Sequence, residues 1–151
     1  MYKNRAFTLI EALVVIGILT LMFALSIPAY RSYSRRNQLR QAAESVRSAL
    51  VEAQNMALAP KESGRQYGAK RNSSTSYIVY KKPETEGLTT LRSYSLPDSV
   101  EWGTTDWDVY FTPPNAKASC MNNLSINLKL KNTPQTITVT LNCTTGQITI
   151  K

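Results

Sequence analysis

At 151 residues the chain is about one domain's worth of polypeptide, which excludes a multidomain machine. It contains no histidine, so the commonest general base and metal ligand is missing, and with it serine-histidine, cysteine-histidine and zinc-hydrolase chemistry. No catalytic residue, metal or cofactor is expected. The net charge of +8 is unevenly placed: residues 31–71 hold nine basic against three acidic residues, whereas residues 72–151 hold seven against six, so the basic surplus is a band in the middle.

The first thirty residues are the most informative. From Ala12 to Tyr30 runs an uncharged stretch, ALVVIGILTLMFALSIPAY, close to the roughly 20 apolar residues that cross a bilayer. A short polar leader, MYKNRA, precedes it with Lys3 and Arg5, and Arg31, Arg35, Arg36 and Arg40 follow it. Positive charge at both ends leaves orientation unsettled by a loop-charge count. Glu11 stands inside the otherwise apolar FTLIEALVVIG, where lipid penalises a carboxylate by a few kcal/mol (~3) unless a partner neutralises it. An ordinary secretory signal places its cleavage site after the apolar run, behind an A-x-A-like triplet, but the residues there are Ser26-Ile27-Pro28-Ala29. A plain anchor has no reason to carry Glu11.

This segment resembles the class III signal peptide of type IV pilins and pseudopilins: a basic leader, a cleavage point, then Phe-Thr-Leu-Ile-Glu opening a long apolar helix. The resemblance implies cleavage between Ala6 and Phe7 by a prepilin peptidase, N-methylation of Phe7, and assembly roles for Glu11 and Pro28. Ala6 departs from the glycine that usually precedes the scissile bond. On this reading residues 1–6 are a leader, 7–30 a transmembrane and filament-core helix, 31–59 an amphipathic helix and 60–151 a β-rich periplasmic head. The implied fold class is α+β, a long N-terminal helix packed on a C-terminal antiparallel sheet.

Beyond Pro28 the helical period continues, with Leu39, Ala42, Ala43, Val46, Ala49, Leu50, Ala53, Met56 and Ala57 forming one apolar stripe. Arg36, Arg40, Glu44, Arg47, Ser48 and Glu52 lie on the other face, where Arg40 with Glu44 and Glu44 with Arg47 are spaced to pair. Pro28 either kinks one long helix or separates two. Ala59-Pro60 ends the pattern. Residues 61–75 read as an exposed loop, being rich in Gly, Ser and basic groups.

Strands are expected at 76–81, 89–94 and 108–112. The pattern then sharpens into strict alternation: Leu124, Ile126, Leu128 and Leu130, then Ile137, Val139, Leu141 and Cys143. Strands 124–131, 137–143 and 147–151 should form an antiparallel meander. Asp106 and Asp108, near Trp102 and Trp107, read as turn caps. Cys120 and Cys143 both fall where an anchor at 7–30 places them outside the cytoplasm, so a disulfide is the natural pairing; two free thiols in a reducing compartment are the alternative.

The alanine-rich AAESVRSALVEAQNMALAP and the closing TGQITI are similar to the minor pilin and minor pseudopilin group of GspH, FimT and FimU. Placing Cys143 inside a strand separates the chain from major pilins, whose paired cysteines more often flank a terminal loop. The resemblance implies a structural subunit of a type II secretion pseudopilus or a type IV pilus, anchored once in the bacterial inner membrane. Its implied partners are other pilins or pseudopilins, the prepilin peptidase, an inner-membrane assembly platform and the membrane itself. A rival class is DNA binding in an uptake pilus, through Arg31, Arg35, Arg36, Arg40, Arg47, Lys61, Arg65, Lys70 and Arg71 with Tyr67 among them. The first four of these arginines are equally suited to anionic lipid.

Overall fold

A computed structural model describes residues 8–60, 64–83, 87–104 and 106–151, except for the side chains of residues 25, 26, 28 and 29. It has the α+β architecture expected: one long helix, α1 (Leu9–Leu58), then β1 (Arg65–Arg71), β2 (Ser76–Pro83), β3 (Thr89–Ser95), β4 (Val100–Trp102), β5 (Asp108–Thr112), β6 (Lys117–Ala118), β7 (Leu124–Leu130), β8 (Thr136–Leu141) and β9 (Ile148–Ile150). The chain divides into two compact units, Met1–Arg35 and Arg36–Lys151.

Thr8 starts α1 as its cap. Its hydroxyl accepts the Glu11 N–H at 3.3 Å and its carbonyl accepts the Ala12 N–H at 3.2 Å, satisfying donors that have no partner within the first turn. The helical backbone continues across position 28, so the two-helix alternative is not what forms, and it stops at Leu58, two residues before Pro60.

In the second unit the helical stripe is the spine of the core. Leu39, Ala42, Ala43, Val46, Ala49, Leu50, Ala53 and Ala57 are all buried, and Met56 packs partly against them. Small side chains at most of these positions let the helix approach the sheets closely.

Two antiparallel sheets share that core. The first runs β3-β2-β1-β5-β6 and the second β4-β7-β8-β9. The expected meander is the greater part of the second sheet, with Ile126 opposite Val139 and Leu141 opposite Ile148. Its one-face burial follows from period two: Ile126, Leu128, Leu130, Val139 and Leu141 point inward. Tyr77 and Tyr94 stack with ring centroids 5.1 Å apart, while Trp102 meets Tyr77 edge-on at 5.8 Å and Trp107 at 5.6 Å, so the aromatic cluster joins strands of both sheets.

Three sequence expectations are corrected. Residues 65–71, expected as exposed loop, form β1, an interior strand paired with β2 on one side and β5 on the other. Tyr67 and Ala69 point into the core from it, and Gly68 leaves the space that the Tyr80 ring fills. A Cβ at position 68 would stand 2.7 Å from Tyr80 Cζ and 2.6 Å from the Val109 carbonyl oxygen. Secondly, β8 ends at Leu141, so Cys143 lies in the turn to β9 and not inside a strand. That turn is built by the Asn142 side chain, which accepts the Thr144 and Thr145 N–H groups at 3.0 Å each, and by Gly146 at φ +72°. Thirdly, Asp108 does not cap a turn: it accepts the Tyr80 hydroxyl at 2.5 Å, whereas Asp106 does accept the neighbouring Trp107 N–H at 2.9 Å.

Candidate assembly helix

The first unit presents a surface unlike anything in the second. Leu9, Ile10, Leu13, Val14, Val15, Ile16, Ile18, Leu19, Leu21, Met22, Phe23 and Ile27 are all exposed. Consecutive helical residues are 100° apart, so these twelve positions cover every side of the helix and leave no polar face for water. A helix apolar all round is stable only when lipid or other helices surround it. Glu11 is the single charge in the stretch, near its N-terminal end, and its backbone N–H is the one held by Thr8. Among the described residues no helix is long and apolar enough to cross a membrane.

Of the processing residues, Ala6 and Phe7 lie outside the described residues, as does the side chain of Pro28.

Tyr30, Arg31, Tyr33 and Arg35 follow on exposed helix. Arg36 and Arg40 are also exposed, but Arg36 is partly committed: its Nε and Nη2 donate to the Gln135 side-chain amide oxygen at 2.9 and 3.0 Å, with that amide turned to accept.

The remaining basic residues do not gather into one patch. Arg65 opens β1 opposite Pro83, whereas Lys70 and Arg71 close it opposite Ile78 and Tyr77. Lys70 Nζ stands 5.9 Å over the Tyr80 ring, and Arg71 donates to the Ser73 and Thr104 carbonyls at 3.0 and 3.2 Å. Arg47 contacts Glu44 at 3.6 Å and donates to the Ile148 carbonyl at 3.4 Å. Lys61 lies outside the described residues.

The head is fastened to its own helix by polar ties at several points. Tyr77 Oη and Ser45 Oγ are 2.7 Å apart, and Ser99 donates to the Gln38 side-chain oxygen at 2.5 Å. Glu52 accepts from Tyr94 at 2.9 Å and pairs with Arg92 at 3.0 Å, while Gln54 donates to the Gly146 carbonyl at 3.1 Å. Cys120 and Cys143 are joined as a disulfide, Cα atoms 5.7 Å apart, stapling the segment after β6 to the closing turn. Burial raises the pKa of three phenols in this region. For Tyr77 the Ser45 hydrogen bond partly opposes it, for Tyr80 the Asp108 carboxylate adds to it, and for Tyr94 Glu52 adds to it. Among the described residues no cluster of three metal-ligating side chains exists.

The prokaryotic N-terminal methylation motif matches residues 1–27. Its N-terminal segment thus carries the type IV prepilin signal, and the chain is similar to pilin-like proteins over that part. It is 54% identical over 39 residues to "Prepilin peptidase-dependent protein D" of Escherichia coli (strain K12), covering 26% of this chain and 27% of that protein. It is 34% identical over 62 residues to a "Fimbrial protein" of Pseudomonas aeruginosa, covering 41% of this chain and 40% of that one. The chain thus spans between a quarter and two-fifths of the length of these curated relatives. No solved structure matches it.

Proposed function

We propose that this pilin-like chain is a minor pilin or minor pseudopilin, a structural subunit of a type II secretion pseudopilus or a type IV pilus. The observation that carries the reading is the helix exposed and apolar on every side around a single carboxylate. Such a segment enters lipid as an anchor and later packs among equivalent helices in a filament core, while the head remains on the periplasmic or outer side. Cleavage between Ala6 and Phe7 by a prepilin peptidase creates a free amine, methylated in place, whose positive charge pairs with Glu11 of its own or a neighbouring subunit. That pairing cancels two charges that an apolar core penalises and sets the axial register of the subunits. The other partners are fellow pilins or pseudopilins and an inner-membrane assembly platform. The scatter of Arg65, Lys70 and Arg71 along a paired strand supports this reading over DNA uptake, which draws on clustered, unengaged cations.

Coexpression with a prepilin peptidase followed by intact mass measurement tests the reading. Loss of MYKNRA with one added methyl group is expected. Retention of the leader, or cleavage beyond the apolar run, overturns it.

A further inference from the structure

We infer that Arg31 and Arg35, at the same level of α1 as Tyr30 and Tyr33, form a docking surface for the headgroups of anionic phospholipid at the C-terminal end of the apolar run. The inference rests on the membrane-anchored reading above and adds a lipid class to it. Four-residue spacing places the two guanidinium groups on one side of α1, and both are exposed. The planar donor fork of arginine matches a phosphate with two parallel hydrogen bonds. Tyr30 and Tyr33, 72% and 69% exposed, carry an apolar ring and a polar tip, the chemistry that settles at the headgroup level.

The neighbouring helix does not supply the compensating charge. No acidic residue stands on the chain between Glu11 and Glu44, so the arginines have no i,i+3 or i,i+4 partner. Four head carboxylates of a second copy are already engaged at home: Glu44 with Arg47, Glu52 with Arg92, Glu101 with Lys129 and Asp108 with Tyr80. Arg36, one residue further, is turned instead to Gln135. Removal of the leader also takes away Lys3 and Arg5, leaving arginine charge on the head side only, against the usual bias of membrane segments. Headgroup phosphates at that level neutralise it.

The test reconstitutes the full chain into phosphatidylcholine vesicles containing phosphatidylglycerol and compares, by electron spin resonance, how much spin-labelled lipid of each kind the protein immobilises. Labelled phosphatidylglycerol should be held several-fold over labelled phosphatidylcholine. The Arg31→Gln/Arg35→Gln double variant should remove that preference, the Arg31→Lys/Arg35→Lys variant should keep most of it, and about 0.5 M salt should weaken it. Equal retention of the two lipids by the unaltered chain, or an undiminished preference in the glutamine variant, overturns the inference. Displacement of the labelled lipid by a short DNA duplex at physiological salt also overturns it and assigns the arginines to nucleic acid. Flotation with vesicles separates the two levels: failure to float at any composition refutes the anchor and the docking surface together, whereas flotation without lipid preference refutes the docking surface alone.

Discussion

Leu19 and Leu50 stand on the same helix, one exposed and the other wholly buried. The contrast separates two uses of apolar side chains. In the stripe Leu39–Ala57 the apolar positions recur at three and four residues, the polar face is kept for water, and sheets grown from the same chain cover the rest. In residues 9–27 they surround the helix, and the first unit's own residues leave them uncovered. The first pattern specifies a fold. The second specifies an environment that lipid or other subunits must supply.

The largest expected effect breaks this contrast directly. Leu50→Ala removes a fully buried side chain and should lower the stability of the head by about 3 kcal/mol in denaturant unfolding. Phe23→Ala, at an exposed position, should change the same transition by less than about 0.5 kcal/mol. Equal losses would mean that the two stretches of helix are not used differently.

A slightly smaller change is expected from Cys120→Ser/Cys143→Ser, about 3 kcal/mol or less on the chain-entropy account of a loop closed across 23 residues. It should act on the head transition and leave vesicle flotation intact.

Gly68→Ala should cost roughly 1–3 kcal/mol, because the added methyl must displace the Tyr80 ring or the β5 backbone. Gly17→Ala, where an added Cβ meets nothing within 4 Å, has no such neighbour to displace.

How far these features were legible follows from the physics of each. The helical stripe was readable because a 3.6-residue period sustained from Leu39 to Ala57 has no competing explanation, and β7 and β8 because strict alternation beside short turns admits little else. β1 was not. Its inward residues are only Tyr67 and Ala69, and the glycine between them reads as a turn signal until the Tyr80 ring that needs the space is seen. The three residues of β4 are too few to show any period. Cys143 continued the alternation of β8 in sequence but falls in the turn, where the Asn142 side chain takes over from strand pairing. At the candidate assembly segment, Glu11 and the apolar run were evident from composition. The separation of the basic residues was not, since Arg65 and Arg71 become opposite ends of one strand only after β1 has paired.

The smallest effect concerns pH. Tyr77, Tyr80 and Tyr94 are raised above the ordinary phenol value near 10. Their contribution is therefore fully present below about pH 10 and is lost as the pH climbs through the higher folded values. Head stability should be insensitive to these groups at neutral pH and fall in the alkaline range, and Tyr80→Phe should shrink the alkaline fall. A first loss between pH 6 and 8 would point to other groups.

Glu11→Ala is the most direct measurement of the division of labour along α1. The variant should melt at the same temperature as the unaltered head, because Glu11 lies in the unit that the core does not use, yet its incorporation into filaments assembled with its partner subunits should fall at least tenfold. Normal incorporation with an unchanged head would contradict the account, since the one charge in the apolar helix would then have no part in assembly.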